Sequence, residues 1–257
     1  MLEMENVCAG YGKKQVLDRV NAQFEKGKIT ALIGPNGCGK STLFKAALGM
    51  LPLTGGQITA DGMPITHASP GSIARKIAYL SQGKAVPDMT VEQLVLHGRF
   101  AHLSYPRRYR TVDKEIALSA MKRMHMERWA TTPVSSLSGG MRQNVYIAMA
   151  LAQDTDYILL DEPTTYLDMA NCFQLMDILS ELAAGGKGVI AILHDLTLAM
   201  TYSDRIIAMA EGQTVLSGTP LDLFDTHDID RIFGIHLQRV SRPEGFYYYY
   251  SRNNEKN

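Results

Sequence analysis

The stretch Gly34-Pro35-Asn36-Gly37-Cys38-Gly39-Lys40-Ser41-Thr42 determines how the rest of this sequence is interpreted. It satisfies the complete G-x-x-x-x-G-K-[ST] pattern, in which glycines let several backbone N–H groups face one anion. The mostly apolar residues 29–33 before it predict a buried strand, and residues 43–48 after it predict a helix. The sequence therefore predicts a phosphate-binding loop that ends at a helix N-terminus, where the helix dipole favours negative charge.

Each residue of this loop, from Gly34 to Thr42, is a candidate nucleotide contact. Lys40 is expected to reach the β- and γ-phosphates, which gives it a binding role and a catalytic one. The Ser41 hydroxyl is expected to complete the coordination shell of a Mg²⁺ ion. The loop alone leaves a kinase, a GTPase and an ATPase open.

Composition is that of an ordinary globular protein. The 257 residues are 46% hydrophobic and 20% charged, enough for one large domain or for a domain with a subdomain. Because 26 basic side chains balance 26 acidic ones, nucleic acid is not expected as the main partner, and the Arg107-Arg108-Tyr109-Arg110 cluster is interpreted as a solvated loop. No apolar run approaches the roughly 20 residues of a bilayer span, so any membrane role must come through a partner.

The three cysteines, Cys8, Cys38 and Cys172, are too few and too scattered for a disulfide framework or a metal site. A reducing compartment is therefore the expected setting. Cys38 lies inside the phosphate loop, at a variable position of the pattern, and is interpreted as a neutral filler.

Two further strands end in chemically active side chains. Residues 157–160 predict a buried strand that ends at Asp161-Glu162, and residues 188–193 predict another that ends at His194. Asp161 is expected to hold Mg²⁺, while Glu162 orients and deprotonates the attacking water. The carboxyl end of a parallel strand faces the crevice where α/β folds bind ligands, so His194 is expected to contact the γ-phosphate and the water.

Three weaker candidates complete the set. Gln82 ends the predicted strand at residues 77–80 and could bridge Mg²⁺ or the water. Tyr11 lies at a predicted turn and could stack on a purine base. Ser138 is a good helix N-cap, and the exposed N–H groups of Gly139-Gly140 after it predict a second anion site.

The remaining segments predict the scaffold. Antiparallel strands are expected at residues 2–11 and 16–24, a turn at Gly55-Gly56, and helices between residues 90 and 126. Toward the end of the chain the sequence predicts a hairpin turned at Glu211-Gly212, a helix at residues 220–224, an edge strand at residues 246–250 and a frayed tail at residues 253–257.

In this order the motifs resemble those of the nucleotide-binding subunits of ABC transporters, over roughly residues 2 to 220. The resemblance is carried by Walker A (Gly34 to Thr42), the Q-loop (Gln82), Leu137-Ser138-Gly139-Gly140-Met141-Arg142-Gln143, Walker B (Ile158 to Glu162), the D-loop (Tyr166-Leu167-Asp168) and His194. It implies an α/β fold: a phosphate-loop NTPase core with a mainly parallel sheet, an N-terminal antiparallel β part and an inserted α-helical subdomain. We expect a single nucleotide-binding domain over residues 1–257, with the helical subdomain at about 86–153 and a C-terminal extension at about 219–257.

The resemblance also implies cofactors and partners. Two copies of the chain would form a head-to-tail homodimer with ATP and Mg²⁺ between the phosphate loop of one copy and Ser138-Gly139-Gly140 of the other, with Asp168 in the nucleotide-binding set. Integral membrane permease subunits would contact residues 82–110, a substrate-binding protein would act indirectly, and nucleic acid would have no part. The subunit would lie peripherally at the cytoplasmic face of the inner membrane.

Within the family, Leu96-His97-Gly98-Arg99 with His102, and Thr164-Thr165-Tyr166-Leu167-Asp168, resemble importers of iron siderophores, haem and cobalamin. Tyr166 is larger than the residue often found in the D-loop, and Ser81 stands where many relatives have proline. An importer of molybdate, zinc or manganese, an exporter subunit and a soluble ABC ATPase of translation or DNA repair remain as alternatives.

Overall fold

A computed structural model describes residues 1–83, 86–243 and 245–252 of the protein. Its strands are β1 (Leu2–Tyr11), β2 (Lys14–Phe24), β3 (Ile29–Ile33), β4 (Leu53–Ala60), β5 (Met63–Pro64), β6 (Ile77–Leu80), β7 (Tyr157–Asp161), β8 (Gly188–Ile192), β9 (Arg205–Ala210), β10 (Gln213–Gly218), β11 (Ile235–Arg242) and β12 (Gly245–Arg252). Its α-helices are α1 (Lys40–Ala47), α2 (Pro70–Lys76), α3 (Val91–His97), α4 (Thr111–Arg123), α5 (Gly139–Ala152), α6 (Met169–Ala184), α7 (Leu196–Tyr202), α8 (Pro220–Asp225) and α9 (Asp228–Phe233).

The central sheet has the strand order β10-β9-β3-β8-β7-β6. Its neighbouring strands are parallel, except that β9 and β10 pair antiparallel and form the predicted hairpin. Every residue of β3, β7 and β8 is buried, because both faces of these strands are covered. Because these strands run parallel, the carboxyl ends of β3, β6, β7 and β8 all lie at the same end of the sheet.

A second sheet, of order β2-β1-β4-β5, is antiparallel and confirms the predicted N-terminal β part. Helix α1 fills the space between the two sheets, where Phe44 packs with Leu2 and Leu17 in one hydrophobic cluster. The α/β class and the mainly parallel central sheet are confirmed as well.

The predicted turn at Gly55-Gly56 is wrong, because β4 runs through both residues. Gly56 has a φ of +76°, and a Cβ atom there would lie 2.3 Å from the carbonyl oxygen of Asn6. The register between β1 and β4 shifts at this point, between Glu5 and Cys8. The glycines therefore mark a β-bulge with close backbone contact.

Helices α3, α4 and α5 pack on one another through apolar residues that include Val95, Met121 and Tyr146. Helix α3 begins with a capping box, in which Thr90 Oγ1 accepts from Gln93 N at 3.3 Å and Gln93 Oε1 accepts from Thr90 N at 2.9 Å. The subdomain boundaries at 86–153 stay a prediction. Of the helices in the described residues, none has the length and apolar composition that a bilayer crossing requires.

The C-terminal region contains more structure than the sequence predicted. The strand at residues 246–250 is confirmed, but it pairs with β11, which was not predicted, and helix α9 was also missed. Tyr248 is buried beside Phe224, and the Arg239 guanidinium lies over the rings of Phe224 and Phe246 at 4.5 and 4.6 Å. The tail at 253–257 lies outside the described residues.

Asp61 contacts several elements at the end of the central sheet that lies opposite the phosphate loop. Its carboxylate is 2.8 Å from Lys26 Nζ and 3.0 Å from Lys76 Nζ, and it accepts from the Tyr157 hydroxyl at 2.7 Å. Burial by itself would raise the pKa of Asp61, but hydrogen bonds from Lys26, the N-terminal ammonium, Tyr157 and Lys76 hold that pKa far below its ordinary value. The ionised carboxylate therefore stabilises the fold.

We expect Asp61→Asn to lower the free energy of unfolding at pH 7 by about 2 kcal/mol, since charge-assisted hydrogen bonds are lost. Because the pKa of Asp61 is lower in the folded chain than in the unfolded one, its contribution is complete above about pH 4 and declines as the pH falls below that value. Melting curves from pH 7 to pH 3 should therefore show the gap to wild type narrowing. Asp88→Asn, at an exposed position, is the control; a gap that widens toward low pH would contradict this assignment.

Candidate functional site

The phosphate loop joins β3 to α1 through glycines in left-handed conformations. Gly34, Gly37 and Gly39 have φ values of +142°, +78° and +111°. A Cβ atom at Gly34 would lie 2.2 Å from the carbonyl oxygen of Met209, so a side chain does not fit there. Gly39 is the N-cap of α1, and the first N–H groups of that helix therefore open toward the loop.

Lys40 is buried in the loop, with only 6% of its surface exposed. Its ammonium donates to the carbonyl oxygens of Gly34 at 2.7 Å and Pro35 at 2.9 Å, and it lies 3.8 Å from Cys38 Sγ. The positive charge is thereby held inside the curve of the loop. Cys38 is buried as well, a free thiol packed under the backbone that faces the anion site.

Asp161 lies behind the loop, at the end of β7, and is 3% exposed. Ser41 Oγ donates to its Oδ1 atom at 3.2 Å, and the Tyr79 hydroxyl donates to its Oδ2 atom at 3.3 Å. Burial raises the pKa of Asp161, and the two hydrogen bonds oppose that rise. Tyr79 was not predicted as a site residue; its position became evident only from the pairing of β6 with β7.

The pair Ser41 and Asp161 fits a magnesium ion by the chemistry of its donors, since a hydroxyl and a carboxylate oxygen are hard ligands. The described residues contain no cluster of three or more His, Cys, Asp or Glu side chains of the kind that encloses a metal. Mg²⁺ typically takes only one or two protein ligands and completes its shell with water and substrate phosphates. The donor set is therefore of the magnesium type.

Glu162 is the centre of the site. Its carboxylate accepts from Gln82 Nε2 at 2.6 Å and contacts His194 Nε2 at 2.7 Å, with Thr165 Oγ1 at 3.4 Å. His194 Nε2 must carry a proton to make this contact with a carboxylate. Glu162 also has a φ of +52°, in the left-handed region that residues with a side chain uncommonly adopt.

The structure thus brings Gln82, Glu162 and His194 together from the ends of three neighbouring strands, β6, β7 and β8. From the sequence, Gln82 was expected to contact Mg²⁺ or water, and His194 was expected to contact the γ-phosphate and the water. In this structure both side chains contact Glu162. With the loop they line a cleft of about 380 Å³, formed by Asn36, Gly37, Gly39, Lys40, Ser41, Thr42, Gln82, Glu162 and His194.

Tyr11 lies outside this cleft, at the end of β1, and is 47% exposed. The ammonium of Lys45, from the last turn of α1, lies 5.6 Å from the ring centroid and donates to the Tyr11 hydroxyl at 3.4 Å. The ring is therefore held near the helix that begins at the phosphate loop.

Ser138, Gly139, Gly140 and Asp168 also lie outside the cleft. Ser138 caps α5 by accepting from Met141 N at 3.4 Å, and Asp168 caps α6 by accepting from Asn171 N at 2.8 Å. The surface at the start of α5 is open, with Ser138 and Gly139 exposed. Within one chain, this second predicted anion site and the phosphate loop are separate.

The chain matches the family model described as ABC transporter over residues 17–165. It is 39% identical to the ferric enterobactin transport ATP-binding protein FepC of Escherichia coli (strain K12) over 244 residues, covering 94% of this chain and 90% of that one. It is 38% identical to the iron(3+)-hydroxamate import ATP-binding protein FhuC of Bacillus subtilis (strain 168), covering 94% and 91%.

Among solved structures, a dimeric bacterial ABC transporter cassette, MJ0796, superposes with a TM-score of 0.76 at 27% identity, covering 86% of this chain and 99% of that one. The chain therefore belongs to the ABC transporter family, as one of its ATP-binding, ATP-hydrolysing subunits.

Proposed function

We propose that this chain hydrolyses ATP to drive the import of an iron chelate through a membrane permease, with Glu162 as the general base. The observation that carries the assignment of the base is the Glu162 carboxylate, which contacts Gln82 Nε2 at 2.6 Å and His194 Nε2 at 2.7 Å beside the phosphate loop. These two contacts hold the carboxylate beside the phosphate loop, where a base can meet the attacking water.

The site chemistry is phosphoryl transfer to water. Lys40 and the loop N–H groups stabilise the charge on the β- and γ-phosphates, and the Glu162 carboxylate orients the water and takes its proton. A carboxylate has about four lone-pair positions, so it can accept from a water in addition to Gln82 and His194. We propose that His194 then moves its Nε2–H toward the γ-phosphate oxygens, where negative charge develops.

We further propose that Ser41 and Asp161 hold Mg²⁺, with Gln82 as a third contact. When bound there, the ion would supply neutralisation of phosphate charge. The buried carboxylate of Asp161 supports this proposal, since it accepts hydrogen bonds from two neutral hydroxyl donors, Ser41 and Tyr79. A cation there would compensate a charge that burial otherwise disfavours.

The second anion site supports a head-to-tail dimer. Ser138 and Gly139 are exposed at the start of α5 and lie outside the cleft of their own chain, so they are open to a nucleotide on a second copy. The cassette MJ0796 is a dimer. We propose that ATP closes the dimer, with Asp168 and Tyr11 completing the nucleotide contacts, and that hydrolysis opens it.

The proposed cargo is inferred from the relatives and from the residues that resemble importers of iron siderophores, haem and cobalamin. FepC and FhuC are named for transport of ferric enterobactin and of iron(3+)-hydroxamate. We propose an iron chelate for this chain too, delivered by a substrate-binding protein to permease subunits that contact residues 82–110. The subunit would then lie peripherally at the cytoplasmic face of the cell membrane.

Lys40→Ala should weaken ATP binding by about 10- to 100-fold, because a charge-assisted contact to phosphate is lost. Titration calorimetry at fixed protein concentration measures this directly. Lys122→Ala, at an exposed position on α4, is the matched control and should bind ATP as wild type does. Normal affinity in the Lys40 variant would remove Lys40 from the phosphate site.

Glu162→Gln should leave ATP binding intact and lower turnover by at least about 100-fold, because the amide cannot take the proton of the water. Size-exclusion chromatography with ATP should then show a persistent dimer. Glu181→Gln, on the exposed side of α6, is the control. A steady-state ATPase rate equal to wild type would exclude Glu162 as the base.

Deletion of the chain should abolish uptake of one labelled iron chelate in cells that otherwise transport it. Complementation with wild type should restore uptake, and complementation with Glu162→Gln should not. Parallel measurements with molybdate, zinc and manganese separate the cargo classes. If only one of these three loses its uptake, the iron-chelate proposal is wrong.

A further inference from the structure

The C-terminal end of α5 is capped by side chains from the 3-10 turn Gly98–His102. Arg99 Nη1 donates to the carbonyl oxygen of Ala152 at 3.0 Å and to that of Gln153 at 3.4 Å, and His102 Nε2 donates to the Gln153 carbonyl at 2.8 Å. The last carbonyls of a helix lack partners within the helix and lie at its negative end, so these donors satisfy both the hydrogen bonds and the dipole.

Two other residues make this cap possible. A Cβ atom at Gly98 would lie 2.3 Å from the carbonyl oxygen of Met149, so only glycine lets the turn lie against the last turn of α5. Asp113, fully buried in α4, accepts from Arg99 Nε at 3.3 Å and balances the charge of the buried guanidinium. Gly98, Arg99 and His102, which resemble the siderophore-importer subgroup in sequence, therefore also hold the end of α5.

The capped residue, Gln153, also makes hydrogen bonds between α5 and the central sheet, beside the apolar core that the two share. Its Nε2 atom donates to the carbonyl oxygens of Ala74 at 2.5 Å, in α2, and of Ile77 at 3.2 Å, the first residue of β6. The carboxyl end of β6 leads directly to Gln82. The Gln153 side chain thus joins the end of α5 to β6, the strand that leads to Gln82.

The opposite end of α5 carries the second anion site, Ser138 to Gly140. A helix of 14 residues is about 20 Å long and moves as a nearly rigid rod, so its orientation at one end determines the position of the other. A second tether, from Gln143 Nε2 to the Pro163 carbonyl oxygen at 2.9 Å, joins the same helix to the residue after Glu162.

We propose that Gln153, held by Arg99 and His102, is a positioning residue that sets the orientation of α5 relative to β6, and so the position at which Ser138 to Gly140 meet the nucleotide of a second copy. The inference rests on the proposed ATP-dependent dimer. It assigns Gln153 no contact with ATP. Removal of its amide should therefore weaken dimer closure while the affinity of a single chain for ATP stays unchanged.

The test uses the full chain carrying Glu162→Gln, which accumulates the ATP-bound dimer. Sedimentation velocity with ATP gives the dimer dissociation constant, and a fluorescent ATP analogue, titrated at protein concentrations below that constant, gives the affinity of the single chain. Addition of Gln153→Ala should weaken dimerisation about tenfold, a usual size for coupling between two sites, with the single-chain affinity unchanged. Gln57→Ala is the matched control, since it also removes an amide hydrogen bond, to Glu5 in the other sheet.

His102 provides a second, independent pair of variants should Gln153→Ala fail to fold. His102→Gln retains an N–H donor and should keep the parent dimerisation constant, whereas His102→Phe should weaken it. Equal dimerisation of Gln153→Ala and parent, or an equal loss in Gln57→Ala, would overturn the inference, and so would weakened single-chain ATP affinity in the Gln153 variant. A parent that binds ATP without dimerising would instead refute the proposed dimer, and this inference with it.

Discussion

The Glu162 carboxylate, with its contacts to Gln82 and His194, is the interaction on which the arrangement of the site depends. Its three participants follow strands that are adjacent in space, β6, β7 and β8, although they are widely separated in the sequence. Because parallel strands lie about 4.8 Å apart and end at the same edge, short side chains from neighbouring ends can meet. A change in strand order would separate the donors from the acid.

The two carboxylates at the end of β7 differ in environment, and this difference matches the roles proposed for them. Asp161 is 3% exposed and receives hydroxyl donors from Ser41 and Tyr79, whereas the Glu162 side chain is 16% exposed and opens into the cleft. A buried acid with neutral donors is suited to a bound cation, while an acid at the surface of the cleft can meet water. The chain turns between the two residues, since β7 ends at Asp161 and Glu162 has a left-handed φ of +52°.

The parts of the fold and site that the sequence predicted are those that depend on local pattern. The phosphate loop, the strands ending at Asp161 and His194, and the capped start of α5 at Ser138 all follow from short motifs and periodicity. Tyr79, Gly98 and Gln153 were missed as functional or structural contacts because their partners are distant in sequence. Helix α9 was missed because it has only six residues, and strand β11 because five of its eight residues are polar; the stability of both comes from packing.

The C-terminal strands also affect the position of His194, because β12 packs against α7. This helix begins immediately after His194, with Asp195 as its N-cap, and β12 packs against it. Phe233, Ile235 and Tyr250 line a small cavity of about 310 Å³ that Pro35, Asn36 and His194 also line. The position of His194 is thus set from two directions, by β8 on one side and by packing of β12 on α7 on the other.

The same geometry keeps the phosphate loop and the second predicted anion site, Ser138 to Gly140, apart within one chain. The phosphate loop is fixed by β3 and α1 between the two sheets, while Ser138 to Gly140 lie at the start of a helix that belongs to the α3–α5 cluster. Two glutamine side chains, Gln143 and Gln153, join that helix to the central sheet. Apolar residues of α5 also pack with residues of the central sheet in one core, so these hydrogen bonds fix the orientation of a helix that the core already holds against the sheet.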